Sequence, residues 1–153
     1  MVYYCDTSAL VKRYAQETGT AWVLELTDLE SGHDIYTVRI AGPELIAALF
    51  RTVRMQEITQ EDAERAAASF KADFRVQYQI IEITNSLADR AMGIAEEHGL
   101  RGYDAVHLAA GVELQTVRGE MELPPLTFIS ADNDLNVAAQ TEGLVIDNPN
   151  SYP

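Results

Sequence analysis

A chain of 153 residues, 47% of them hydrophobic, is long enough for a single domain with one core, expected over 1–153, and has no apolar run near the roughly 18 residues that cross a bilayer. With 24 Asp and Glu against 11 Lys and Arg its net charge is −13, which repels nucleic acid at long range and excludes a protein that coats RNA or DNA by bulk attraction. Cys5 is the one cysteine and His33, His98 and His107 are scattered, so disulfides and Cys/His zinc sites are excluded, while the absence of a basic leader before Asp6 predicts no secretory signal and a cytoplasmic protein.

Val2–Cys5 is short, apolar and aromatic, the pattern of a strand, and Asp6-Thr7-Ser8 offers side-chain oxygens suited to the N-cap of a helix over 9–16. Thr18-Gly19-Thr20 breaks that helix. Trp22, Val23, Leu26 and Leu29 recur at helical spacing and predict a second helix, closed by Ser31-Gly32. A strand over Asp34–Val38 follows, then a helix opened by Gly42-Pro43-Glu44 that turns Leu45, Ala48, Leu49 and Val53 inward. Thr59 and Asp62 form a capping pattern for a fourth helix carrying Ala63, Ala66, Ala67, Phe70 and Phe74. Residues 78–83 read as a strand, and Asn85-Ser86 as the cap of a fifth helix that buries Leu87, Ala91, Ile94 and Ala95 and ends near Gly99. A sixth helix over 103–117 is apolar on most sides, which predicts a buried helix crossing the core. After Pro124-Pro125 come a strand over 126–129, a helix over 134–142 with Gly143 as its C-cap, and a strand over 144–146.

Strands separated by helices predict an α/β fold with a mostly parallel central sheet flanked by helices, where ligand sites lie beyond the carboxyl ends of the strands. Asp6 follows the first strand directly and Asp132 follows the strand ending at Ile129, so both belong at one edge of the sheet. Glu44 and Asp104 stand in the first turns of their helices. Each acid alone is explained by the partial positive charge of a helix N-terminus. As a set they are not, because two carboxylates about 4 Å apart repel by roughly 4 kcal/mol at an effective dielectric near 20, so a cluster protonates or takes a cation. Oxygen ligands alone suit Mg²⁺ or Mn²⁺.

Four segments carry a resemblance: Asp6-Thr7-Ser8-Ala9-Leu10-Val11-Lys12, Pro43-Glu44-Leu45-Ile46-Ala47-Ala48-Leu49-Phe50-Arg51, Tyr103-Asp104-Ala105-Val106-His107-Leu108-Ala109-Ala110 and Ser130-Ala131-Asp132-Asn133-Asp134-Leu135. In this order, across nearly the whole chain, they resemble the signature segments of PIN-domain ribonucleases, most nearly the VapC-like toxins of toxin/antitoxin pairs. The resemblance implies a three-layer α/β/α fold and cleavage of RNA phosphodiesters with Mg²⁺ or Mn²⁺. It implies metal-binding, catalytic acids at Asp6, Glu44, Asp104 and Asp132, with Thr7, Ser8 or Ser130 as hydroxyl neighbours that orient water or carboxylate. It also implies an RNA substrate, a cognate antitoxin and a homodimer. Asp134 competes with Asp132 for the fourth position, and the Ser-x-Asp spacing favours Asp132.

His107, three residues after Asp104 on a buried helix, is expected to pair locally with a polar group rather than to act as base or ligand. Arg51 shares a helical face with Glu44 and is open to either a phosphate contact or an internal salt bridge. Lys12, Arg13 and Arg101, with Arg39 and Arg54, are the other candidates for guiding RNA. Trp22, Leu26 and Leu29 form either core or, by the resemblance, part of an apolar groove for an antitoxin segment. Cys5 reads as a small buried hydrophobe.

The alternatives are a stand-alone RNA-processing nuclease of the same fold and a non-catalytic PIN-like or receiver-like domain with an acidic pocket. A receiver needs paired acids after the first strand and a lysine near the last strands, but Asp6 is flanked by Cys5 and Thr7 and the last lysine is Lys71. A phosphatase with an aspartyl nucleophile needs a second Asp where Ser8 stands.

Overall fold

Five short strands, β1 (Val2–Cys5), β2 (Asp34–Val38), β3 (Gln79–Ile81), β4 (Thr127–Ile129) and β5 (Val145–Asp147), form one sheet in the computed structural model, which describes residues 1–153. Their order is β3-β2-β1-β4-β5 and every pair is parallel, so the sheet is wholly rather than mostly parallel. Parallel neighbours need crossovers, and helices supply them: α1 (Thr7–Tyr14), α2 (Thr20–Leu26), α3 (Ala41–Arg54), α4 (Gln60–Val76), α5 (Asn85–His98), α6 (Gly102–Glu120) and α7 (Asn133–Thr141). None of them is long and apolar enough to cross a membrane.

Because successive strand residues point to opposite faces, the central strands feed two cores. Tyr4 and Phe128 enter one with Leu87, Leu108 and Leu135 from α5, α6 and α7. Cys5 and Ile129 enter the other with Leu10, Leu45 and Phe70 from α1, α3 and α4. The result is three layers, helix on sheet on helix. The Tyr4 and Phe128 rings stack at 5.0 Å, and α6 approaches them at Gly111, where an added Cβ would lie 2.8 Å from Phe128 Cδ2. That contact requires glycine inside a long helix.

Element boundaries differ from the sequence pattern where a cap decides them. Asp6 alone caps α1, so the helix starts at Thr7 and stops at Tyr14. Asp28 caps a 3-10 turn at Leu29–Ser31, which ends α2 at Leu26 and leaves Leu29 75% exposed. Thr84, not Asn85-Ser86, caps α5 by accepting from the Leu87 N–H at 3.1 Å. Ala41 begins α3 without a side-chain cap, two residues before Pro43. Asp132 caps α7, and β5 runs one residue later than the apolar run.

Candidate active site

Crossovers run from β1 through β2 to β3 on one side and return to β4 and β5 on the other, so the direction of winding changes between β1 and β4. In open parallel sheets the crevice outside such a switch point takes the ligand. Here β1 delivers Asp6 and β4 delivers Ser130 and Asp132. The Asp6 backbone N–H donates to the Ile129 carbonyl at 3.0 Å, which ties the two strand ends together.

Asp6 is 3% exposed. Its Oδ1 accepts from the Ala9 N–H at 2.9 Å as the α1 cap, Ser130 Oγ donates to Oδ2 at 2.7 Å, and Ser8 Oγ lies 2.8 and 2.9 Å from the two oxygens. Burial pushes this carboxyl above the ordinary range, opposed by His107, by the two serine hydroxyls and by the Ala9 N–H. Ser8 and Ser130 are themselves fixed, since their Oγ atoms accept from the Ala131 and Asp132 N–H groups. The hydroxyls of the sequence pattern therefore orient a carboxylate.

Glu44 is held from the opposite face of the sheet. Thr7 Oγ1 donates to its Oε1 at 2.9 Å, and His107 Nε2 lies 2.7 Å from the same oxygen. A carboxylate only accepts, so Nε2 carries a proton, and Nδ1 of a neutral ring accepts from the buried Tyr4 hydroxyl at 2.9 Å. The chain Tyr4–His107–Glu44 thus runs from the core to the mouth of the site. His107 has the local polar partner expected of it, and that partner is a candidate metal ligand.

Asp104 makes no hydrogen bond in the chain. Burial raises its carboxyl above the ordinary range, and the charges of Asp132, Asp6 and Glu44 raise it further, against a lowering by His107. Asp132 uses Oδ1 to accept from the Asp134 and Leu135 N–H groups. All four acids border one cleft of about 870 Å³. Asp134 is exposed and lies outside that cleft, bordering a smaller neighbour of about 410 Å³.

Of the candidate cations, Lys12, Arg51 and Arg101 border the larger cleft. Lys12 Nζ is 3.0 Å from Glu17, whereas Arg51 and Arg101 are in no ion pair. Arg13 is not brought to either cleft: its guanidinium bonds Thr27 O, Gln77 and Tyr78 and pairs with Asp73 at 3.3 Å. Arg39 pairs with Glu82. Trp22, Leu26 and Leu29 do not form one exposed stripe, because Leu26 is buried and Trp22 stacks on Tyr152 at 4.6 Å. Elsewhere, Glu97, His98 and Glu142 bring ligand atoms within 4.8 Å of one another.

Two contributors escaped the sequence pattern. Tyr4 is separated by 103 residues from the His107 it holds, and nothing local marks the pair. Asn150, in a 3-10 turn at Pro149–Ser151, borders the larger cleft from beyond β5, and Asn148 capping that turn was the available signal.

Residues 3–140 match the PIN domain family model. The ribonuclease VapC45 of Mycobacterium tuberculosis is 36% identical over 110 residues, covering 71% of this chain and 74% of that protein. Among solved structures, PAE2754 of Pyrobaculum aerophilum superposes with a TM-score of 0.63 at 18% identity over 95% of this chain and 89% of its own. VapBC2 of Rickettsia felis, solved with a DNA fragment from its promoter, gives 0.62 at 15% identity over 97% and 98%.

Proposed function

The chain belongs to the PIN domain family, and from that membership and the four acids at its larger cleft we propose that it is a cytoplasmic endoribonuclease working with Mg²⁺ or Mn²⁺, the toxin of a toxin/antitoxin pair. The observation that carries this reading is the convergence of Asp6, Glu44, Asp104 and Asp132 on one cleft, close enough that three of them raise the carboxyl of the fourth. The donor set fits a hard divalent ion. All donors are carboxylate oxygens, and Glu44, Asp104 and Asp132 each keep at least one oxygen free of hydrogen bonds in the chain. These four residues would hold the ion, which when bound supplies Lewis acidity toward a phosphodiester and its attacking water.

The remaining residues do the positioning. Ser8 and Ser130 fix Asp6, while Thr7 and His107 fix Glu44 so that its second oxygen stays available. Arg51 and Arg101, unpaired on the cleft wall, are placed to accept phosphate oxygens from a strand lying across the acids. Purified protein should cleave RNA with Mg²⁺ or Mn²⁺ and stop in EDTA. Asp104→Asn breaks no hydrogen bond in the chain and should abolish cleavage with the fold intact. Chelator-resistant cleavage would overturn the metal assignment. Growth arrest on induction in bacterial cells, lost with Asp104→Asn, tests the toxin half.

A further inference from the structure

The larger cleft does not end at the acids. Beyond Arg101, Asp104 and Asp132 the second cleft opens, sharing those three residues, with its far wall built from the α5–α6 turn and from α7. We propose that this second cleft is a nucleobase subsite, taking the base next to the scissile phosphate of single-stranded RNA and so selecting the sequence that is cut. The inference rests on the ribonuclease reading above and deepens it.

Continuity is the first reason. A phosphate held at the shared rim must send its neighbouring nucleotide into one cleft or the other, and at about 410 Å³ the second lies within the roughly 300–1,000 Å³ of small-ligand sites. Charge is the second. The second cleft has three acids, Asp104, Asp132 and Asp134, against one arginine, so a further phosphate is repelled while an uncharged base is not. Lining chemistry is the third: Leu100, Val137 and Ala138 give apolar surface for a ring face, and His98 and Asp134 give polar groups for its edge, the combination by which unstacked bases are read.

The wall is also preformed. Gly99, at φ +64°, closes α5 with its N–H on the Ala95 carbonyl at 2.9 Å. His98 is 11% exposed in its side chain, and its Nε2 lies 2.7 Å from Glu142 Oε1. With the Nε2 proton on that carboxylate, a neutral His98 ring keeps Nδ1 as an acceptor with no partner in the chain, which suits an amino or imino hydrogen of a base.

Equilibrium binding of octamers of adenylate, cytidylate and uridylate in EDTA tests this, with wild type, Val137→Gln and His98→Phe. Val137 is exposed, so its exchange for a longer uncharged side chain spares the fold. Wild type should discriminate among the octamers. Val137→Gln should weaken the preferred one about tenfold, the order of one stacked base, and His98→Phe should narrow the discrimination, both with the salt dependence unchanged. Wild-type affinities and preference in both variants overturn the subsite, as does a flattened salt dependence, which would mean a phosphate contact. If wild type binds and cleaves RNA while the variants behave identically, the subsite alone falls. If no octamer binds wild type, the ribonuclease reading falls and the subsite with it.

Discussion

Three cations border the larger cleft, and one is already committed: Lys12, nearly buried, has its Nζ 3.0 Å from Glu17. Two arginines, Arg51 and Arg101, are left to neutralise phosphate. On a single strand each such contact contributes about −0.7 to the slope of log K against log salt, so RNA binding should show a slope of about −1.4, a sevenfold loss of affinity between about 50 and 200 mM salt. Arg51→Ala should halve the slope to about −0.7, a loss of only about threefold over the same range. Glu17→Gln should act in the opposite sense, releasing Lys12, raising affinity and steepening the slope toward about −2.1. Fluorescence anisotropy of a labelled single strand in EDTA reads all three, with no divalent ion competing for the phosphates. A wild-type slope steeper than about −3 would mean a basic footprint outside this cleft, and an unchanged slope in Glu17→Gln would mean that Lys12 does not face RNA.

The acid cluster gives a dependence of stability on pH. Burial and the charges of Asp132, Asp6 and Glu44 hold the folded Asp104 carboxyl above its unfolded value of about 3.9, so its contribution is present below that value and lost as pH rises through the folded one. In EDTA, Asp104→Asn should therefore melt above wild type near neutrality and converge with it in acid, and divalent ions should raise the melting temperature of wild type more than that of the variant; equal melting at pH 7 would contradict this. Tyr4→Phe removes the donor to His107 in a buried setting and should cost about 1–3 kcal/mol in urea unfolding, with slower RNA cleavage as Glu44 loosens. Gly111→Ala gains about 1 kcal/mol of helix propensity but drives a methyl into the stacked Phe128 ring, an overpacking cost of about 1–3 kcal/mol, so unfolding should show a net loss; a more stable variant would refute the close approach.

Local rules made much of this legible. Capping chemistry and strand–helix alternation act over a few residues, so Asp6, Glu44, Asp104 and Asp132 are readable as helix-start acids, and parallel topology then brings them together. Both explanations of those acids hold at once: Asp6 and Asp132 cap helices with one oxygen and border the cleft with the same carboxylate. What the sequence hides is pairing between distant segments. Arg13 is drawn to Asp73 on α4 and to Tyr78, and His107 reaches Glu44 across 63 residues. Neither partner follows from helical spacing. The reach of α2 was misjudged for a local reason, since Asp28 starts a new turn that the apolar spacing of Leu29 overrides on paper but not in the fold.

Trp22 is the one tryptophan of the chain, and its ring lies parallel to that of Tyr152, 130 positions later. The turn that carries Tyr152 follows β5, an edge strand, and the same turn sets Asn150 on the cleft wall. Intrinsic emission is therefore a gauge of a single event, the docking of the C-terminal turn against α2, and not of general collapse. In a refolding experiment that signal should trail far-ultraviolet circular dichroism, because the turn docks only after the edge strand has joined the sheet. The optical readout and the completed catalytic wall would arrive together.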